Sequence, residues 1–292
     1  MNMKSFTIND LERFSGVKAH TIRVWERRYA LLKPIRSPGN FRLYTLDELK
    51  KILNIALLKK NGYRISGLSK FPDTDLEDKV GLLSNENNKW QKAINDLTIN
   101  IYTLEPESFE WVLNQLLLNW PIEILIEKII FPFLKITRLL WIGNKLCEEH
   151  LVVTAIRKKL ILAIESVGAI AKGDKTVLLF LPDAKQLDLG LLYSNYFLKR
   201  RGVHVLYMGT DVTIQNLKSI FHVHPPTYVF TYLQQNNQFP IGQLLECMNL
   251  YAPDAKLLIG EYSCEHTSPI FSGNLVQMNY AEALDFLHAH SK

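Results

Sequence analysis

Residues 6–29 read Phe6-Thr7-Ile8-Asn9-Asp10-Leu11-Glu12-Arg13-Phe14-Ser15-Gly16-Val17-Lys18-Ala19-His20-Thr21-Ile22-Arg23-Val24-Trp25-Glu26-Arg27-Arg28-Tyr29, two short amphipathic runs on either side of a glycine. Thr7 precedes Asp10 by three positions, the spacing of a helix cap, and Leu11 and Phe14 then share a face, so the first helix spans residues 7–14. Ser15-Gly16-Val17 stops it. A second helix over 18–28 turns Ile22 and Trp25 inward and leaves His20, Thr21, Arg23, Arg27 and Arg28 on its other faces. Two short helices joined at a glycine turn make a helix-turn-helix.

Working outward, Pro34 to Tyr44 holds two short extended runs around Ser37-Pro38-Gly39-Asn40, which predicts a small hairpin, a wing. Thr45 and Glu48 have capping-box spacing and open a third helix over 46–60, with Leu46, Leu49, Ile52, Leu53, Ala56 and Leu57 at helical intervals. A last short helix over 66–70 ends before Pro72. Pro72-Asp73-Thr74-Asp75 reads as a polar linker.

Charge is divided along the chain. Residues 1–72 carry 15 Lys and Arg against 5 Asp and Glu, a net +10, while residues 73–292 carry 19 against 24, a net −5. A concentrated positive segment releases counterions from phosphates, so nucleic acid is the partner this end predicts. At 292 residues and 47% apolar, the chain has the material for two or three domains with their own cores. Cys147, Cys247 and Cys264 form no CxxC pair, and the N-terminus lacks the apolar run of a signal peptide. The most apolar stretch, 120–140, is interrupted by five charged residues and two prolines, so no membrane span is expected and the location is cytoplasmic.

On these residues the chain resembles the MerR family of transcriptional regulators: Phe6-Thr7-Ile8, Ser15-Gly16-Val17, Thr21 to Tyr29 and Asn40-Phe41-Arg42-Leu43-Tyr44 occur in that order and spacing. The resemblance implies a winged helix-turn-helix whose second helix enters the major groove of operator DNA. It implies Thr21, Arg23, Arg27 and Arg28 as DNA-facing residues, with Arg42 and Tyr44 on phosphates or the minor groove. The residue types suit that work, since a guanidinium fork matches guanine edges and phosphates.

Beyond residue 72 the chain reads as helices over 76–84, 88–102, 106–118, 121–141 and 146–170, a helical bundle with Pro132 expected to kink or divide the fourth. From 171 short apolar runs alternate with helices: strands at 176–181, 203–208, 227–233, 256–259 and 274–278, with helices at 187–201, 216–221, 241–251 and from 281. That alternation predicts a doubly wound, parallel α/β sheet of Rossmann-like type. The expected domains are 1–72, the winged helix-turn-helix; 73–170, the bundle; and 171–292, the α/β domain.

The α/β segment is similar to the cobalamin-binding domain of methionine synthase, corrinoid mutases and B12-sensing MerR-like regulators. The resemblance places a bundle Trp, here Trp141, and a Glu-His pair, here Glu149-His150, against the upper face of the corrin; the light-sensing members carry His where this chain has Ile142. It places an acid-x-His-x-x-Gly motif after the first strand, and here Lys185, Leu187 and Gly190 hold those positions. A leucine has no lone pair for cobalt, and a lysine is no carboxylate to orient an imidazole. Thr231 and Leu233 stand for the Ser-x-Leu that lines the cofactor's nucleotide tail, and Gly260-Glu261 for a Gly-Gly pair. Cobalamin in its His-ligated mode is therefore not expected, nor is a metal.

The expectation is a DNA-binding MerR-type regulator that is not an enzyme, acts as a homo-oligomer, a dimer or tetramer, and uses residues 73–292 for assembly and effector response, with RNA polymerase a further partner. No GxSxG, Walker or HExxH motif is present. Two other readings stand beside it: a cobalamin photoreceptor that keeps the corrin through the bundle, and a corrinoid carrier of the methyltransferase type.

Overall fold

The structure, a computed structural model, describes residues 5–103, 106–138, 146–168, 174–183, 188–233, 239–261 and 270–290. The chain divides into two compact units, Met1–Ala155 and Ile156–Lys292.

In the first unit, α1 (Ile8–Ser15) begins with the expected capping box: the Asp10 N–H donates to Thr7 Oγ1 at 3.3 Å and the Thr7 N–H to Asp10 Oδ2 at 2.8 Å. It ends at Gly16, whose φ of 69° lies in the left-handed region that a side chain resists. Helix α2 (Ala19–Tyr29) buries Ile22 and Trp25 and ends at Ala30, left-handed with φ 48°. Strands β1 (Ile35–Arg36) and β2 (Arg42–Leu43) pair antiparallel as the wing, with Ile35 opposite Leu43. Helix α3 (Leu46–Lys60) is opened by the Thr45–Glu48 box, and α4 (Ile65–Leu68) follows.

The stretch read as a linker is instead the start of a helix, α5 (Asp73–Gly81), with Pro72 at its N-cap. Asp73 and Asp75 in its first turn oppose the positive helix end, and Leu76 and Val80 join the core built from Leu11, Ile22, Trp25, Leu49 and Ile52. Helices α6 (Glu86–Thr103) and α7 (Pro106–Asn119) form the bundle with the fourth helical segment. Pro132 has no N–H to give the preceding turn. The segment answers in three pieces: α8 (Ile122–Ile124), a π turn over Leu125–Ile130 and α9 (Phe131–Arg138), with the Phe131 N–H reaching back five residues to the Ile126 carbonyl. Tyr102 of α6 meets Phe6 and Phe14 edge-on, at 4.8 and 6.0 Å between ring centres. Helix α10 (Leu146–Ser166) carries the chain from the first unit into the second.

The second unit is the expected doubly wound sheet. Its strands are β3 (Thr176–Phe180), β4 (His204–Gly209), β5 (Tyr228–Leu233), β6 (Lys256–Glu261), β7 (Ile270–Ser272) and β8 (Leu275–Asn279), in the order β4-β3-β5-β6-β8-β7. All neighbours are parallel except β7, which the sequence reading lacks; it pairs antiparallel with β8 across a turn at Gly273. The connecting helices are α11 (Leu189–Arg200), α12 (Ile214–Val223), α13 (Ile241–Tyr251) and α14 (Tyr280–His290). Leu178, Phe180, Val229, Leu257 and Ile259 pack with Leu217 of α12 and Leu244 and Met248 of α13. Alternation sends Phe230 and Tyr232 the other way, toward Tyr280 of α14, with ring centres at 6.2 and 5.9 Å.

Candidate nucleic-acid interface and the sheet's carboxyl edge

Because Ile22 and Trp25 hold α2 by one face, the opposite face is turned outward, and there His20, Arg23 and Arg27 follow one another at helical spacing, all exposed. Arg28 is exposed on the flank and Thr21 is half-buried beside it. None of Arg23, Arg27 and Arg28 has an acidic partner among the described residues. The sequence reading left His20 out of the DNA-facing set, although its place one turn before Arg23 follows from the same periodicity.

The basic surplus is unevenly distributed. Lys50 and Lys51 of α3 are answered by Glu77 and Asp73 of α5 at 2.7 and 2.8 Å. Lys18 pairs with Glu12 at 3.2 Å, and the same carboxylate accepts the Ala19 N–H at 2.9 Å. These contacts hold the Glu12 carboxyl below its ordinary range, the Ala19 N–H first and the Lys18 ammonium second. Glu12 thus caps α2 from α1, and Arg23, Arg27 and Arg28 are among the cations of this unit that keep their charge free of a described acid.

Glu26, which the sequence reading passed over, ties the wing to α2. Its carboxylate accepts a hydrogen bond from the Tyr44 hydroxyl and pairs with Arg42 Nε at 3.2 Å. Tyr44 is 1% exposed and exchanges backbone hydrogen bonds with Phe6, so it is removed from the DNA-contacting set. The reason is physical: an aromatic next to an apolar bridge is worth more buried, and Glu26 satisfies its hydroxyl. Burial, then the Glu26 carboxylate, pushes the Tyr44 phenol well above its ordinary range. Arg42 keeps a side chain 38% exposed, with one edge held by Glu26. At the wing tip the Asn40 N–H donates to the Ser37 carbonyl at 2.8 Å, and Phe41 stands 73% exposed.

At the carboxyl edge of the sheet, Asp188 precedes α11 and takes a two-pronged contact from Arg157 of α10: Nη2 to Oδ1 at 2.7 Å and Nε to Oδ2 at 3.0 Å. Tyr207 of β4 is pushed up to about 12, by burial first and the Asp188 charge second. Trp141 and Leu187 lie outside the described residues. Glu149 and His150 fall in α10, where His150 is exposed. Gly190 is in the first turn of α11, Thr231 and Leu233 are in β5, and Gly260 is in β6. Thr231 is 1% exposed on the side of β5 that faces α12 and α13, with its hydroxyl unpartnered among the described residues. Gly190 and Gly260 both come to Tyr280, whose hydroxyl donates to the Gly190 carbonyl at 2.5 Å, while the Cβ direction of Gly260 meets the Phe230 ring at 3.2 Å and Tyr280 Cα at 3.5 Å. Among the described residues no group of three His, Cys, Asp or Glu could hold a metal, and no helix is long and apolar enough to cross a membrane.

Comparison with known proteins accords with both halves. Residues 6–73 match the MerR HTH family regulatory protein profile. Across 97% of this chain and 94% of its own length, the HTH-type transcriptional repressor CarA of Myxococcus xanthus is 24% identical. The repressor CarH of the same organism is 24% identical over 74% of this chain and 75% of its own. Among solved structures, the monomethylamine corrinoid protein of Methanosarcina barkeri superposes with a TM-score of 0.56 at 15% identity, covering 68% of this chain and 98% of that one, and it shares the fold.

Proposed function

From the premise that this chain is a transcriptional regulator of the MerR type, similar to CarA and CarH, we propose that it binds double-stranded operator DNA with α2 in the major groove and the wing on the flanking backbone. The observation that carries this reading is the outward face of α2, where Arg23 and Arg27 are exposed, follow one another at helical spacing and have no acidic partner among the described residues. Arg23, Arg27 and His20 meet base edges, Thr21 and Arg28 meet flanking bases or phosphates, and Arg42, steadied by Glu26, meets phosphate.

A single module of about 70 residues offers a small contact, so two copies read paired half-sites and the chain works as a homo-oligomer. We assign DNA binding to 1–72, bundle packing to 73–170 and the α/β domain to 171–292, the last two providing assembly. The protein works in the cytoplasm, as a regulator and without an enzymatic reaction.

Fluorescence anisotropy on the protein's own promoter DNA, at two salt concentrations, tests the reading. Expected is specific binding that Arg23→Ala weakens with relaxed sequence preference, and that Arg42→Ala weakens evenly across sequences with a shallower salt slope. Binding of promoter and unrelated DNA with equal affinity, unchanged by both substitutions, would overturn it.

A further inference from the structure

The fold of the second unit is shared with a corrinoid protein, so cobalamin is the cofactor the fold implies. The residues present do not fit it. Two glycines at positions that the family resemblance assigns to the cofactor, Gly190 of the cobalt-ligand motif and Gly260 of the Gly-Gly pair, are both covered from inside the domain. The Tyr280 hydroxyl is 2.5 Å from the Gly190 carbonyl, and Ser194 Oγ is 2.8 Å from that carbonyl and 2.8 Å from the Tyr280 hydroxyl. Three close oxygens share two hydroxyl protons, which makes a satisfied knot between α11 and α14. All of residues 189–198 are buried, and Ser194 is 0% exposed.

Over Gly260 the space is taken as well. The Phe230 ring, 0% exposed, reaches 3.2 Å from where a Cβ would stand, and Tyr280 packs against it. The chemistry of the edge agrees with the geometry. Two described carboxylates flank residues 184–187, Asp183 and Asp188, and Arg157 occupies both oxygens of Asp188. Residues 184–187 read Ala184-Lys185-Gln186-Leu187 and include no imidazole.

We infer that Tyr280 is a built-in plug: with Ser194 and Phe230 it seals the seam between α11 and α14 that a cobalamin tail would need to enter, and the regulator's assembly and operator binding do not respond to cobalamin or to light acting through it. This rests on the DNA-binding reading for its operator half only; the seal is a property of the second unit alone.

The test is gel filtration of the full chain after dark incubation with methylcobalamin, adenosylcobalamin or hydroxocobalamin, followed at corrin wavelengths before and after illumination, with operator anisotropy on the same samples. Expected is colour that elutes apart from the protein, an unmoved protein peak and an unchanged operator Kd. Colour that co-elutes in stoichiometric amount, or a peak or Kd that moves with cobalamin, would overturn the inference. A chain that fails to bind DNA under any condition breaks the operator reading and leaves the colour result to judge the plug. Tyr280→Phe keeps the ring and removes the hydroxyl; expected is a melting midpoint lower by about 2–4 °C with cobalamin still excluded. An unchanged midpoint would show that the phenol does not hold the seam.

Discussion

The winged domain and the α/β domain use the same residue types in opposite ways. In the first, Arg23 and Arg27 point away from the core and their charge is left unpaired at the surface. In the second, polar groups at the edge are answered within the fold: the half-exposed Arg157 by Asp188, and the buried Tyr280 and Ser194 by the Gly190 carbonyl. Unpaired surface charge is cheap in water and gains energy only on meeting a polyanion, whereas a buried polar group must be satisfied within the fold. One region is therefore prepared for a partner, while the other answers these edge groups within the fold and leaves the Thr231 hydroxyl and Asn195 Oδ1 unpartnered among the described residues.

Trp25→Ala makes the largest test of that contrast. Trp25 is 5% exposed at the centre of the first core, and its loss costs about 3–5 kcal/mol, so thermal unfolding of the winged domain and operator binding should fail together. If binding survived at full strength, the outward face would not depend on the core that presents it. Arg23→Ala comes next, losing roughly 1–3 kcal/mol of operator affinity, about 5- to 150-fold, with the melting midpoint unmoved. A fall in midpoint without a fall in affinity would place Arg23 in the fold instead of the interface.

Gly260→Ala should cost about 1–3 kcal/mol of stability in the second unit, because the Phe230 ring at 3.2 Å is itself fully packed, and operator affinity of the folded protein should not change. Ala30→Gly relieves a left-handed backbone at φ 48° and should raise stability by about 0.5–1 kcal/mol, read from urea midpoints. Thr231→Val is the smallest effect. A buried hydroxyl with no described partner loses nothing on replacement by a methyl of the same shape, so calorimetry should show a midpoint equal to or above the parent's. A clear drop would reveal a partner for that hydroxyl and weaken the picture of a self-contained domain.

The winged domain was legible because its signals are local. Thr7 and Asp10, Thr45 and Glu48, and the glycine turn act within four residues of themselves, and each appears where the spacing predicts. The sheet's strands were legible because a parallel strand buried on both faces reads as a continuous apolar run. What escaped was set at long range. Pairing of Lys50 and Lys51 with α5, 22 or more positions away, reduces the free charge that composition counts. Tyr44 resembles an interface residue in sequence, yet Glu26, 18 positions earlier, and the bridge to Phe6 draw it inside. The short β7 carries too few residues to show a period, and it exists by pairing with β8.

The sequence by itself determined the order of domains, the helix-turn-helix with its wing, the alternating α/β unit and the missing imidazole at Leu187, because caps, periods and residue chemistry are properties of neighbours along the chain. Only the tertiary structure decided which arginines remain unpaired, that Tyr44 supports the wing from within, and that Tyr280 closes the seam over Gly190. Those outcomes depend on which groups meet across 18 to 90 positions of sequence, and such meetings exist only once the core has packed.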